Sequence, residues 1–170
     1  MTNVVIIGMS GSGKTMIGQL AAAQLDVPFV DVDYQIEQKM NTTIPILFKQ
    51  YGESGFRDIE SQCILEVAAR DKQIISTGGG AVIKPENIEA LKQNGKIIFI
   101  DRPLLDIQKN FNAAARPMIK DKTDITKLYY ERLPLYRKYA DITLPNTDTL
   151  DIIVSRLVLL AKKIMQYELY

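Results

Sequence analysis

Short, wholly apolar runs alternate along this chain with longer segments whose apolar residues recur every three or four positions. "VVIIG" (4–8) is β-branched and stops at a glycine, which predicts a buried strand. "KTMIGQLAAAQL" (14–25) gathers Ile17, Leu20, Ala21 and Leu25 on one side and predicts a helix. "PFVDVD" (28–33) predicts a second strand, with a helix over 34–40. Residues 44–50 and 54–70 predict helices broken near Gly52, and "QIISTGGG" (73–80) predicts a strand ending in three glycines. A helix is expected over 85–95, with Pro85 at its start and Gly95 at its end. "KIIFID" (96–101) reads as strand and "PLLDIQKNF" (103–111) as helix, with a looser stretch to about 123. The remainder predicts a helix over 124–140 disturbed at Pro134, a strand and exit loop over 141–146, and a closing helix over 149–169. Strands alternating with helices imply a parallel sheet covered on both faces. No repeat, linker or low-complexity tract interrupts the pattern, so one domain is expected across 1–170.

Composition narrows the chemistry more than the fold. The chain has 170 residues and is 46% hydrophobic, enough to bury a core without metal or disulfide support. Its 21 basic and 20 acidic residues leave a net charge of +1, so nucleic acid and anionic membranes are not expected partners. Cys63 is the one cysteine; no intrachain disulfide can form, which fits a reducing compartment. Ile64, Leu65 and Val67 beside it suggest a helix face near the core rather than a nucleophile. The chain has no histidine, which removes Ser-His-Asp and Cys-His hydrolases and most zinc sites. Any general base must be Asp, Glu, Lys or Tyr. No apolar run approaches the ~20 residues needed to cross a bilayer, and the first residues lack a secretion pattern; a cytoplasmic location is expected.

"GMSGSGKT" (8–15) fits G-x-x-x-x-G-K-[ST] between a predicted strand and a predicted helix. Glycines let the backbone curl so that several N–H groups face one anion, and the helix adds the positive end of its dipole. Lys14 can reach β- and γ-phosphates, and Thr15 offers a hydroxyl to Mg²⁺. The loop therefore indicates a nucleoside triphosphate donor without naming the acceptor. The strand "QIIST" ends in Ser76 and Thr77, so a carboxylate that supports Mg²⁺ must come from elsewhere.

"DVD" can supply it. On a strand, period two would put Asp31 and Asp33 on one face, at the sheet edge where α/β proteins bind ligands. One carboxylate could support the Mg²⁺ shell and the other accept a hydroxyl proton; alternatively the pair forms a solvated turn that caps the next helix. In "GFRDIE", Glu60 either fixes Arg57 so that its planar fork holds a substrate carboxylate, or pairs with it at the surface. "GGGAV" either makes a turn or exposes bare backbone N–H groups to a ligand. Arg116 lies in the loosest stretch, where a loop could close over phosphates, and Arg132 lies in "YYERLPLYRKYAD".

Taken in order, "GMSGSGKT", "DVD", "FRDIE", "TGGGAV", "RPM" and "ERLPLYRKYAD" resemble the shikimate kinase family along nearly the whole chain. The resemblance implies a three-layer P-loop NTPase fold, a five-stranded parallel sheet of order 2-3-1-4-5 flanked by helices. A mobile lid is expected at about 110–123 and a substrate-binding helical region at about 34–60. The implied activity is transfer of the γ-phosphoryl of ATP to the 3-hydroxyl of shikimate, with Mg²⁺ as cofactor, in aromatic amino acid and chorismate biosynthesis. Gly11, Ser12, Gly13, Lys14, Thr15 and Met16 would wrap the ATP phosphates. Thr15 and Asp31 would serve the metal. Asp33 would bind substrate hydroxyls and act as base, in a catalytic set with Lys14 and Arg116 of the lid. Arg57 and Arg132 would grip the shikimate carboxylate, with Gly79 contacting the substrate through its backbone. Gln19 stands where the family often has arginine. Lys109 is the nearest counterpart of a further lid arginine, followed by Ala113, Ala114 and Ala115; lysine keeps the charge without the fork. The segment 145–148 is the expected region of the adenine contact. Competing readings are a gluconate-kinase-like or nucleoside-monophosphate-kinase-like phosphotransferase and a non-catalytic ligand sensor. Nothing demands a dimer, so a monomer is expected.

Overall fold

A computed structural model describes residues 2–111 and 119–165. Arg116 and the centre of the expected lid (112–118) lie outside the described residues, as does the chain beyond 165. Five strands form one sheet: β1 (Asn3–Ile7), β2 (Phe29–Asp31), β3 (Ile74–Ser76), β4 (Gly95–Asp101) and β5 (Ile142–Pro145). Every pairing is parallel, as the alternation of strands and helices predicts, and the order is β2-β3-β1-β4-β5, as the family resemblance implied.

β1 is buried at all five positions, the mark of a strand covered on both faces. Period two sends Val4 and Ile6 to one layer and Val5 and Ile7 to the other. The first layer holds α1 (Lys14–Leu25) and α7 (Leu150–Ile164). The second holds α2 (Val32–Met40), α3 (Ile44–Ala68), α4 (Pro85–Gln93), α5 (Leu104–Lys109) and α6 (Lys122–Tyr139). No helix among the described residues is long and apolar enough to cross a membrane.

Several boundaries differ from the sequence expectation for local reasons. The second strand stops at Asp31 instead of running to 33. The Asp31 carboxylate accepts the Tyr34 N–H at 3.1 Å, which caps α2 and turns Val32 into helix. Asp31 and Asp33 therefore do not share a strand face. β3 ends at Ser76, and Thr77–Gly80 form a loop that leads into a 3₁₀ turn at Ala81–Ile83. Gly95 does not stop a helix; it opens β4 opposite Asn3. α6 begins at Lys122, because the Asp121 side chain accepts from the N–H groups of Thr123 and Asp124. The break near Gly52 is present: its φ of 69° is in the left-handed region that glycine tolerates, and it kinks α3.

Register places the site. Ser76 of β3 lies opposite both Ile6 and Asp31. The loops leaving β1, β2 and β3 therefore emerge side by side at the carboxyl edge of the sheet.

Candidate active site

The loop after β1 keeps its curled shape through Gly11 and Gly13, whose φ values of 85° and 93° require glycine-like freedom. Gly13 caps α1, so Lys14 is the first residue of the helix. The Lys14 ammonium donates to the carbonyls of Gly8 at 2.9 Å and Met9 at 2.8 Å, and the side chain is buried. The Thr15 hydroxyl donates to Asp31 Oδ2 at 2.6 Å while Asp31 Oδ1 caps α2. Both Asp31 oxygens are thus held, one by each of two helices. The pocket around this loop is lined by Gly11, Gly13, Lys14, Thr15 and Met16 together with Asp31 and Asp33.

A second pocket adjoins it. One side is apolar: Ile44, Phe48, Phe56, Ile119 and Leu128. The other carries Arg57, Glu60 and Arg132. Ser10, Asp33, Gly78 and Gly79 line both pockets, so the two chambers share a wall. Asp33, in the first turn of α2, stands in that wall despite the lost strand geometry.

Charge in the second pocket is tightly arranged. Arg57 donates to Glu60 Oε2 at 2.7 Å, and both side chains are buried. The guanidinium also lies 5.3 Å from the Phe56 ring centroid and 5.9 Å from that of Phe48, within cation–π range. This is no surface ion pair: Glu60 is fully buried, with no hydrogen-bond partner for Oε1 among the described residues. Burial raises the Glu60 carboxyl above its ordinary value against the opposing pull of Arg57. Burial likewise pushes Asp33 up to about 7, with Glu60 and Asp31 adding to the rise and Lys14 and Arg57 opposing it.

The glycine loop fits this crowd because it has no side chains. A Cβ on Gly78 would sit 2.7 Å from Asp33 Oδ1, and one on Gly80 would sit 2.2 Å from Arg57 Nη2. A Cβ on Gly79 would lie 3.0 Å from the Ser10 nitrogen and 3.5 Å from Arg132 Nη1. Arg132 and Tyr136 lie one turn apart on α6. The Tyr136 hydroxyl donates to the Gly79 carbonyl at 2.6 Å, and its ring stacks on Phe99 at 5.2 Å. Burial pushes this phenol up to about 12, so it stays a donor.

Gly11, Gly13 to Met16, Asp31, Asp33, Arg57, Gly79 and Arg132 thus converge on one cleft; Ser12 lines neither chamber, being fully buried with its N–H donated to the Met9 carbonyl, and Arg116 lies outside the described residues. Three groups that hold the loops of the cleft are not singled out by sequence reasoning. Tyr136 holds Gly79; its signal is its place four residues after Arg132. Arg102 donates to the Gly11 carbonyl at 3.1 Å, and Asn146 donates to the Ser12 carbonyl at 2.8 Å. Asn146 falls in the segment expected near adenine; nothing local marks Arg102.

The family model described as shikimate kinase matches residues 10–162. A shikimate kinase of Clostridium botulinum (strain Eklund 17B / Type B) is 43% identical over 155 residues, covering 91% of this chain and 93% of the relative. One from Burkholderia thailandensis is 39% identical over 145 residues, covering 81% and 77%. A solved shikimate kinase from Acinetobacter baumannii in complex with shikimate superposes with a TM-score of 0.88 at 32% identity, covering 96% of this chain and 94% of that one. A gluconokinase from Sinorhizobium meliloti 1021 reaches 0.63 at 12% identity, which is a likeness of fold alone.

Proposed function

The chain belongs to the shikimate kinase family, and from that premise we propose how its two adjoining chambers divide one phosphoryl transfer. The activity is ATP-dependent phosphorylation of shikimate, a step toward aromatic amino acids; the acceptor is its 3-hydroxyl. The observation that carries the division of labour is the position of Asp33 in the shared wall, with the phosphate loop on one side and Arg57 and Arg132 on the other.

The loop from Gly11 to Met16 binds the ATP phosphates through its backbone. Lys14 exchanges its two carbonyl partners for β- and γ-phosphate oxygens. In the acceptor chamber, Arg57 and Arg132 grip the shikimate carboxylate, and the ring lies against Phe48 and Phe56. Gly79 presents its backbone to the substrate, fixed from behind by Tyr136. Asp33 orients the hydroxyl and takes its proton as oxygen attacks the γ-phosphorus, while ADP leaves. A base poised at about 7 is half ionised at neutral pH, which suits that task. Arg116 is assigned to a lid at about 110–123 that excludes water, with the acceptor region at about 34–60 and the whole of 1–170 as one domain.

The donor set suits Mg²⁺. Thr15 Oγ1 and Asp31 Oδ2 are oxygens 2.6 Å apart, the hard ligands this ion prefers. Among the described residues no group of three His, Cys, Asp or Glu could hold a metal ion. When bound, Mg²⁺ neutralises phosphate charge. We place the enzyme in the cytoplasm as a monomer.

The test is ADP release with ATP, Mg²⁺ and either shikimate, quinate, gluconate or no acceptor. Release that depends on shikimate is expected. Equal turnover with gluconate would overturn the acceptor assignment, and ATP binding without turnover of any acceptor would favour a ligand sensor.

A further inference from the structure

The phosphate loop is held from behind by two side chains that arrive from the opposite half of the sheet. Arg102 follows directly on β4 and donates Nη1 to the Gly11 carbonyl at 3.1 Å. Asn146 follows directly on β5 and donates Nδ2 to the Ser12 carbonyl at 2.8 Å. The two are joined to each other, because the Asn146 backbone N–H donates to the Asp101 carbonyl at 2.8 Å. The carbonyls of Gly11 and Ser12 belong to the two successive peptides between the left-handed glycines, where the missing Cβ atoms leave more than one backbone orientation sterically open.

A trans peptide is planar, with its N–H directed opposite its carbonyl. Fixing the Ser12 carbonyl toward Asn146 therefore turns the Gly13 N–H the other way. The Gly11–Ser12 peptide is secured at both ends: Arg102 takes its carbonyl, and its N–H donates to the Met9 carbonyl at 3.0 Å. A flipped peptide would present a carbonyl oxygen where an anion must sit. A charged donor on one carbonyl also polarises the hydrogen-bonded chain beyond it.

We propose that Arg102 and Asn146 are positioning residues for the nucleotide: Asn146 locks the Ser12–Gly13 peptide with the Gly13 N–H turned toward phosphate, and Arg102 fixes the adjoining Gly11–Ser12 peptide, whose N–H is held by Met9, so that the curl of the loop is kept. The inference deepens the reading of this loop as the ATP site and rests on it. Neither side chain lines the acceptor chamber, so the effect is confined to the donor side.

The test is titration of the wild-type protein, Arg102→Met, Arg102→Lys and Asn146→Asp with ADP in the presence of Mg²⁺. KM for ATP and for shikimate and the melting temperature are measured alongside. Asn146→Asp keeps the shape but sets an oxygen against the Ser12 carbonyl. ADP binding and KM for ATP are expected to worsen about tenfold in Arg102→Met, the size of one charge-assisted hydrogen bond, and by about as much in Asn146→Asp, where a neutral bond is replaced by a carboxylate facing a carbonyl. Arg102→Lys keeps a charged donor and is expected to recover most of the loss, and KM for shikimate is expected to stay within about twofold of wild type. ADP affinity within about twofold of wild type in both disruptive variants would overturn the proposal. So would a parallel rise in both KM values that follows a falling melting temperature. Should Arg102→Met fail to fold, Arg102→Lys and Asn146→Asp decide the matter. Wild-type protein that binds ADP but ignores shikimate would sink the acceptor reading alone; wild-type protein that does not bind ADP would sink both.

Discussion

Replacing Asp33 by asparagine should make the protein more stable and nearly inactive. The carboxyl is pushed from its ordinary 3.8 to about 7, chiefly by burial and then by Glu60 and Asp31. The folded protein therefore holds this proton more tightly than the unfolded chain does. Below about pH 4 both states are protonated and the group contributes no difference. As pH rises from there through about 7, the unfolded chain loses its proton first, and the folded state is progressively disfavoured. Above about 7 the loss is complete. At about 1.4 kcal/mol per tenfold change in proton affinity, the span from 3.8 to about 7 corresponds to about 4 kcal/mol. That figure is a ceiling, because the half-buried carboxylate meets water in the open cleft; about 1–3 kcal/mol is the expected measured gain. Asparagine keeps the shape and carries no charge at any of these pH values. The assay is urea unfolding of both proteins at intervals from pH 4.5 to 8.5, with kcat and ADP affinity measured on the same samples. The two stability curves should converge at the acid end and separate toward pH 8, with the variant above. kcat should fall by about a hundredfold or more, as for loss of a general base, with ADP affinity nearly unchanged. Parallel stability curves, or a variant less stable at pH 8, would refute the claim that this carboxylate is held under electrostatic stress.

Two other substitutions probe the acceptor chamber. Arg57→Lys keeps the charge near Glu60 but loses the planar fork and its packing against Phe48 and Phe56; KM for shikimate should rise about tenfold or more with KM for ATP little changed, and equal KM values would reduce Arg57 to a partner of Glu60. Tyr136→Phe removes only the hydroxyl that holds the Gly79 carbonyl; thermal denaturation should show a loss of about 1–2 kcal/mol, and steady-state kinetics a rise in KM for shikimate larger than that for ATP.

What the sequence revealed follows from the range of the forces involved. The phosphate loop is a local motif, and its glycines, Lys14 and Thr15 could be placed before any coordinates. The kink at Gly52 was legible for the same reason, since one residue sets it. The end of β2 was not. Strand periodicity and helix capping compete at Asp31, and the capping bond to Tyr34 wins, so the two aspartates reach the cleft from a helix start rather than from one strand face. Glu60 could be paired with Arg57 from spacing, but its complete burial depends on elements that pack over it. Arg102 and Asn146 meet partners 91 and 134 residues away, separations that no window along the chain spans. Tyr136 could have been drawn in from its helix position beside Arg132, yet its partner, Gly79, is a backbone carbonyl that leaves no trace in side-chain pattern.

The crowded glycine floor has a consequence for drug resistance. An inhibitor seated on Gly78, Gly79 and Gly80 would rest on residues the organism cannot readily change. Any side chain at Gly78 runs into Asp33, at Gly79 into the backbone of the phosphate loop, and at Gly80 into the guanidinium of Arg57. Each escape route at that surface displaces a group to which the proposed mechanism gives a role. Contacts made instead to the apolar wall, where Ile44 or Leu128 could trade one aliphatic shape for another, would leave such routes open.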